Sequence, residues 1–139
     1  MVPFVHLHVH TQYSLFDGLS RIPDMVRKAK ELGMPAVAIT DHGNMYGVIH
    51  LYKEAKAQGI KPVLGCEVYM TRGSRFEQKN KERLCHLILL AKDLAGYHNL
   101  VKIVSKGFVD GENNYHRPRV DYDLLEQYHE GLIAMSACI

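Results

Sequence analysis

Apolar and polar positions alternate strictly at the start of the chain. In FVHLHVH, Val5, Leu7 and Val9 take one parity and His6, His8 and His10 the other, the period of a strand with one apolar face and one imidazole face. The period then changes. In SRIPDMVRKAKELG, Ile22, Met25, Val26, Ala29 and Leu32 recur at helical spacing, with Pro23 near the start and Gly33 as a stop. PAVAIT reads as a short buried strand, and YGVIHLYKEAKAQG as a helix with Val48, Leu51, Tyr52 and Ala55 on its stripe and Gly59 at its end. IKPVLGCEVYM predicts a third strand and LCHLILLA a fourth; between them the charged, aperiodic TRGSRFEQKNKER reads as an exposed loop. DLAGYHNLVKIVSKG predicts a helix facing inward through Leu94, Tyr97, Leu100, Val101 and Val104. The Gly- and Asn-rich GFVDGENNYHRPRV leads to a short helix capped by Asp121 and stopped before Gly131, and LIAMSAC is the last strand.

Strands alternating with helices imply parallel strands joined by right-handed crossovers, so the predicted class is α/β. No repeat, low-complexity tract or linker divides the chain, and 139 residues suffice for one domain. Five strands and four helices favour an open sheet or part of a (β/α) barrel, because a complete barrel usually takes about 250 residues.

Composition changes this picture little. The chain is 47% hydrophobic and 23% charged, as globular proteins are. No apolar run approaches the roughly 20 residues of a membrane helix, and MVPFVHLHVH lacks the features of a signal peptide, so a cytoplasmic location is expected. Cys66, Cys85 and Cys138 form an odd set without CxxC spacing, which argues against a disulfide framework or zinc ribbon and for reduced thiols. A net charge of +2 does not by itself indicate nucleic acid, although Arg72, Arg75, Lys79, Lys81 and Arg83 cluster.

The chemistry collects where strands end. In α/β folds ligands bind at the carboxyl ends of the strands; here the first strand ends in His8 and His10, the second in Asp41 and His42, the third near Glu67 and the fifth in Cys138, while the fourth holds His86. Imidazole, carboxylate and thiolate together suit zinc, manganese or iron and suit calcium poorly. Simpler roles exist for each: Glu67 as an edge residue facing water, His86 as a hydrogen-bonded core histidine, Cys138 as a small buried hydrophobe. His50, His98, His116 and His129 fall on helices or in a loop and read as surface residues, while Cys66 and Cys85 point away from their neighbours' faces and read as packing residues.

HLHVHTQYSLFDG, AITDHGNMYGV, KPVLGCEVYM, CHLILLAK, GYHNLVKIVS, HRPRVDYDLL and EGLIAMSAC together resemble the polymerase-and-histidinol-phosphatase (PHP) domain of bacterial DNA polymerase III alpha subunits. The resemblance runs through essentially the whole chain, and TDHGNMYG and GLIAMSAC favour the polymerase branch over histidinol phosphatases. It implies a distorted (β/α)₇ barrel holding up to three metal ions, zinc or manganese with iron a further option. The ligands it implies are His8, His10, Asp17, His42, Glu67, His86 and Cys138, with His6 left as a structural histidine.

The family's last metal motif, an Asp-x-His pair, and the polymerase domains would follow Ile139. The chain is therefore expected to carry about the first half of a PHP domain. The implied activity is metal-assisted phosphodiester hydrolysis with water as nucleophile, which in a polymerase is 3′–5′ exonuclease proofreading; without the last pair it should be slow or absent. A metal-stabilised scaffold and a small-molecule phosphoesterase are the alternatives. Implied partners are the single-stranded 3′ end of DNA and the rest of the polymerase subunit. Arg117 and Arg119 are candidates for the DNA backbone and Tyr13 for stacking, against a solvated loop and a packing tyrosine as simpler roles. An unclosed barrel is further expected to pair as a homodimer.

Overall fold

The structure, a computed structural model, describes residues 4–77, 84–110 and 117–137. Cys138, His116, Lys79, Lys81 and Arg83 lie outside the described residues. The elements run α1 (Ile22–Glu31), β1 (Ala36–Ile39), α2 (Val48–Gln58), β2 (Lys61–Met70), β3 (Cys85–Ala91), α3 (Leu94–Val109), β4 (Arg119–Val120), α4 (Tyr122–Tyr128) and β5 (Leu132–Ser136). The α/β class expected from the alternation is the one observed.

The sheet has the order β1-β2-β3-β5, with β4 pairing the far end of β2. β1 and β4 run parallel to β2, but β3 is antiparallel to β2, and β5 to β3. This corrects the uniformly parallel sheet. A parallel return needs a crossover, usually helical; the connection from Met70 to Cys85 contains no helix among its described residues, so β3 comes back reversed.

The first strand is also corrected. Residues 4–10 are extended beside β1, yet only two backbone bonds join them: Ala38 N–H to the His6 carbonyl at 3.1 Å and Thr40 N–H to the Val9 carbonyl at 2.8 Å. Two steps along β1 thus match three along the segment, and the chain bends at His8. One extra residue breaks a ladder as a bulge does and re-aims side chains near it.

β2 divides the molecule by parity. Cys66, Val68 and Met70 pack with Leu89 against α3 and α4 through Leu100, Ile103 and Leu124, while Leu64, Val37 and Ile39 meet α1 and α2 through Ile22, Val26, Leu51 and Ala55. Residues of the other parity, including Glu67 and Tyr69, therefore point to the face opposite the helices. The site lies there.

α1 and α2 bury the residues their periodicity implies, except that Leu32 and Tyr52 are exposed. α3 turns somewhat from expectation: Leu100 is buried and Tyr97 and Val104 pack against the cores as their spacing implies, but Gly96, Ile103 and Gly107 are buried too, and Leu94 and Val101 are exposed. The reason is close approach. A Cβ at Gly96 would run into the Gly131 backbone, so small residues, invisible to a count of hydrophobes, seat the helix.

Candidate metal centre

Three strands bring the site together by register. Glu67 faces His42 across a parallel bridge that continues the β1–β2 register, tied by Glu67 N–H to the Asp41 carbonyl (3.1 Å) and Gly43 N–H to the Glu67 carbonyl (2.8 Å). On its other side Glu67 pairs with Ile88 and Tyr69 with His86, so His86 is a diagonal neighbour on the same face. His8 and His10 arrive from the bent segment beside β1.

Glu67 is wholly buried, and four imidazoles converge on it. Its Oε2 lies 2.6 Å from His8 Nε2 and 3.2 Å from His10 Nε2; its Oε1 lies 2.6 Å from His86 Nδ1 and 3.6 Å from His42 Nδ1. Burial resists ionisation of this carboxyl, but the hydrogen bonds from His10 and His8 and the field of His42 outweigh it and pull its pKa down to about 2. The hydrogen bond to Glu67 raises His10 in turn. Asp17 joins through His42, its Oδ2 being 3.1 Å from His42 Nε2. The rings of His10 and His42 stack at 3.9 Å.

The donor set fits metal ions. His8, His10 and Glu67 form one group and His42, Glu67 and His86 another, each with ligand atoms within 4.8 Å of one another. Glu67 belongs to both, as a bridging carboxylate would. The Nε2 atoms of His8 and His10 are only 3.1 Å apart, and the buried Nδ1 atoms of His10 and His42 have no hydrogen-bond partner. Imidazole nitrogens gathered on a carboxylate are a donor set that can hold a transition-metal ion.

Six of the seven residues expected as ligands are thus brought together, and Cys138 lies outside the described residues. His6 stays apart, exposed and edge-on to Phe4, which replaces the expected structural role. Arg119 is buried within β4 at 6% exposure, a correction to its reading as a surface cation for DNA. Arg117 is exposed, its guanidinium 5.4 Å from the Tyr69 ring. Tyr13 is half-buried against the α1–α2 core and edge-on to His50. Cys66 is buried and its thiol pKa pushed up by desolvation, whereas Cys85 is exposed rather than packed.

Two residues outside the expected ligand set also shape the site. Tyr69 lies under the site, 5.1 Å from the His86 ring and 6.4 Å from that of His42, and burial raises its phenol; its parity with Glu67 was the available signal. Asp41, noted at a strand end, turns out to be buried and to bind the turn that carries Asp17.

A model of the PHP domain matches residues 6–139. The DNA polymerase III alpha subunit of Borreliella burgdorferi is 52% identical over 139 residues, and that of Aquifex aeolicus 50% over 144, each match covering 98% of this chain and 12% of the relative. The alpha subunit of Thermus aquaticus is 44% identical over 142 residues, with the same coverage. Among solved structures, a protein described as a metal-dependent phosphoesterase from Bifidobacterium adolescentis matches at TM-score 0.56 and 19% identity, over 78% of this chain and 34% of its own. An amidohydrolase from Chromobacterium violaceum matches at TM-score 0.54 and 22% identity, over 73% and 32%. At these identities the structural likeness is one of fold.

Proposed function

Because the chain belongs to the PHP domain family, we propose that it holds two divalent transition-metal ions, zinc or manganese, across Glu67 and serves phosphodiester hydrolysis within a DNA polymerase III alpha subunit. The observation that supports this most is the single buried carboxylate shared by two imidazole groups. His8 and His10 would hold one ion, His42 and His86 the other, and Asp17 stands within reach of the second. Cys138 is a further ligand by resemblance. Such ions, when bound, polarise a phosphoryl oxygen and lower the pKa of water; the chain's part is to fix their positions and keep Glu67 ionised. Arg117, exposed beside Tyr69, would be a cation that meets a DNA phosphate. The substrate proposed is a single-stranded 3′ end, and the compartment the cytoplasm; among the described residues no helix is long and apolar enough to cross a membrane.

Elemental analysis paired with a single-strand nuclease assay tests this reading. About two equivalents of metal are expected, with slow 3′-end degradation that chelation abolishes. Because this chain by itself is expected to be slow or inactive, the scaffold reading is decided on the parent subunit: a metal-loaded alpha subunit that leaves single-stranded DNA intact would favour it. Protein that takes up no metal would end both.

A further inference from the structure

Asp41 sits between Thr40 and the ligand His42 and is 1% exposed. Its carboxylate accepts three hydrogen bonds from one turn: from Thr11 N–H at 2.6 Å, the Thr11 hydroxyl at 2.8 Å and the Ser14 hydroxyl at 2.7 Å. The Ser14 oxygen in turn accepts from His42 N–H at 3.2 Å. Asp41 and His42 are thereby tied, side chain and backbone, to the same serine.

The turn they hold is closed on itself. Thr11 bridges Ser20, Gln12 N–H reaches the Ser20 carbonyl at 3.0 Å, and the Ser14 carbonyl accepts from Asp17 N–H at 3.2 Å and Gly18 N–H at 2.7 Å. A Cβ at Gly18 would run into the Thr11 carbonyl, so the loop is drawn tight where Asp41 grips it. At its tip Asp17 meets His42 Nε2 at 3.1 Å. A chain of short contacts thus runs from the buried carboxylate to a proposed ligand on an otherwise exposed loop.

We infer that Asp41 is a positioning residue of the metal centre, fixing the 11–20 turn so that Asp17 is presented to the ion group of His42. The inference rests on the metal-binding reading of that group, but half of it is geometric and needs no metal. An ionised carboxylate can accept from all three donors, whereas an asparagine of the same shape turns an NH₂ toward at least one of them. Groups that orient a metal ligand typically change affinity by about 10–100-fold when altered.

The test uses the 139-residue chain as wild type, Asp41→Asn, Asp17→Asn and the double variant, with Ser14→Ala as a milder substitution. Amide exchange at Asp17 and Gly18 is read on metal-free protein, and cobalt(II) affinity by visible absorption. Asp41→Asn is expected to speed exchange at both amides roughly tenfold and to weaken cobalt binding about 10–100-fold. The double variant should bind little worse than Asp17→Asn alone, because the two residues act through one another. Equal losses on both backgrounds, or unchanged exchange, would overturn the inference. Should Asp41→Asn not fold, Ser14→Ala is read by the same criteria. If wild type takes up no cobalt, the metal reading fails while the exchange arm still decides whether Asp41 holds the turn.

Discussion

Nε2 of His8 and Oε2 of Glu67 lie 2.6 Å apart across 59 residues of sequence. The bulge at His8 and the continued β1–β2 register together produce that contact: the first turns the imidazole inward, the second sets the carboxylate beside His42. His10 shares the same oxygen. His8→Ala combined with His10→Ala should therefore cut metal affinity by more than about tenfold, while His6→Ala, on a ring that packs on Phe4, should leave it unchanged. Metal content after dialysis reads the difference; equal losses would remove the strand-end assignment.

Asp121 supplies a pH-dependent test away from the site. Burial works against its ionisation, but the Arg75 and Leu124 N–H groups and the Arg75 guanidinium at 2.9 Å outweigh it and hold the carboxyl below its usual range. A folded-state pKa that is depressed adds stability at pH values above the unfolded value and loses it as pH falls through the folded one. Asp121→Asn should cost about 2 kcal/mol at neutral pH, and the gap from wild type should shrink as pH drops below about 4. Chemical denaturation at pH 7 and pH 3 measures it, and a constant gap would contradict the ion pair's role.

Most of this architecture is legible in the chain because helix and strand periods are local. Ile22, Val26 and Ala29, or Val48, Leu51 and Ala55, face the core where their spacing puts them. The reversal of β3 was not legible, since direction depends on a connection that a hydrophobicity pattern does not describe. Gly96 seats α3 by lacking a side chain, so a count of apolar residues found Tyr97, Leu100 and Val104 on the inward face but added the exposed Leu94 and Val101 and missed the glycine. Within the site, residue type and strand-end position singled out His8, His10, His42, Glu67 and His86, but Asp17 lies in a turn and rested on family resemblance. The parity of Tyr69 with Glu67 and the strand-end position of Asp41 were visible, but both act through neighbours, and their contacts follow only from the pairing of separate segments.

The sheet's far edge predicts association. Among the described residues β5 pairs only with β3, and its Ile133 is 48% exposed. Open strand edges beside apolar surface recruit partners. A homodimer is expected by light scattering at low micromolar concentration, and Ile133→Lys should shift it toward monomer. A wild-type monomer under those conditions would mean the edge is satisfied in another way.

The central claim is that one carboxylate serves two ion groups, and substituting it tests that most directly. Glutamine keeps the shape of Glu67 but offers a neutral carbonyl oxygen in place of a bridging anion. Metal content of wild type and Glu67→Gln, loaded with zinc or manganese and dialysed together, should be about two equivalents and almost none, respectively. Two equivalents retained by a folded Glu67→Gln protein would contradict the account.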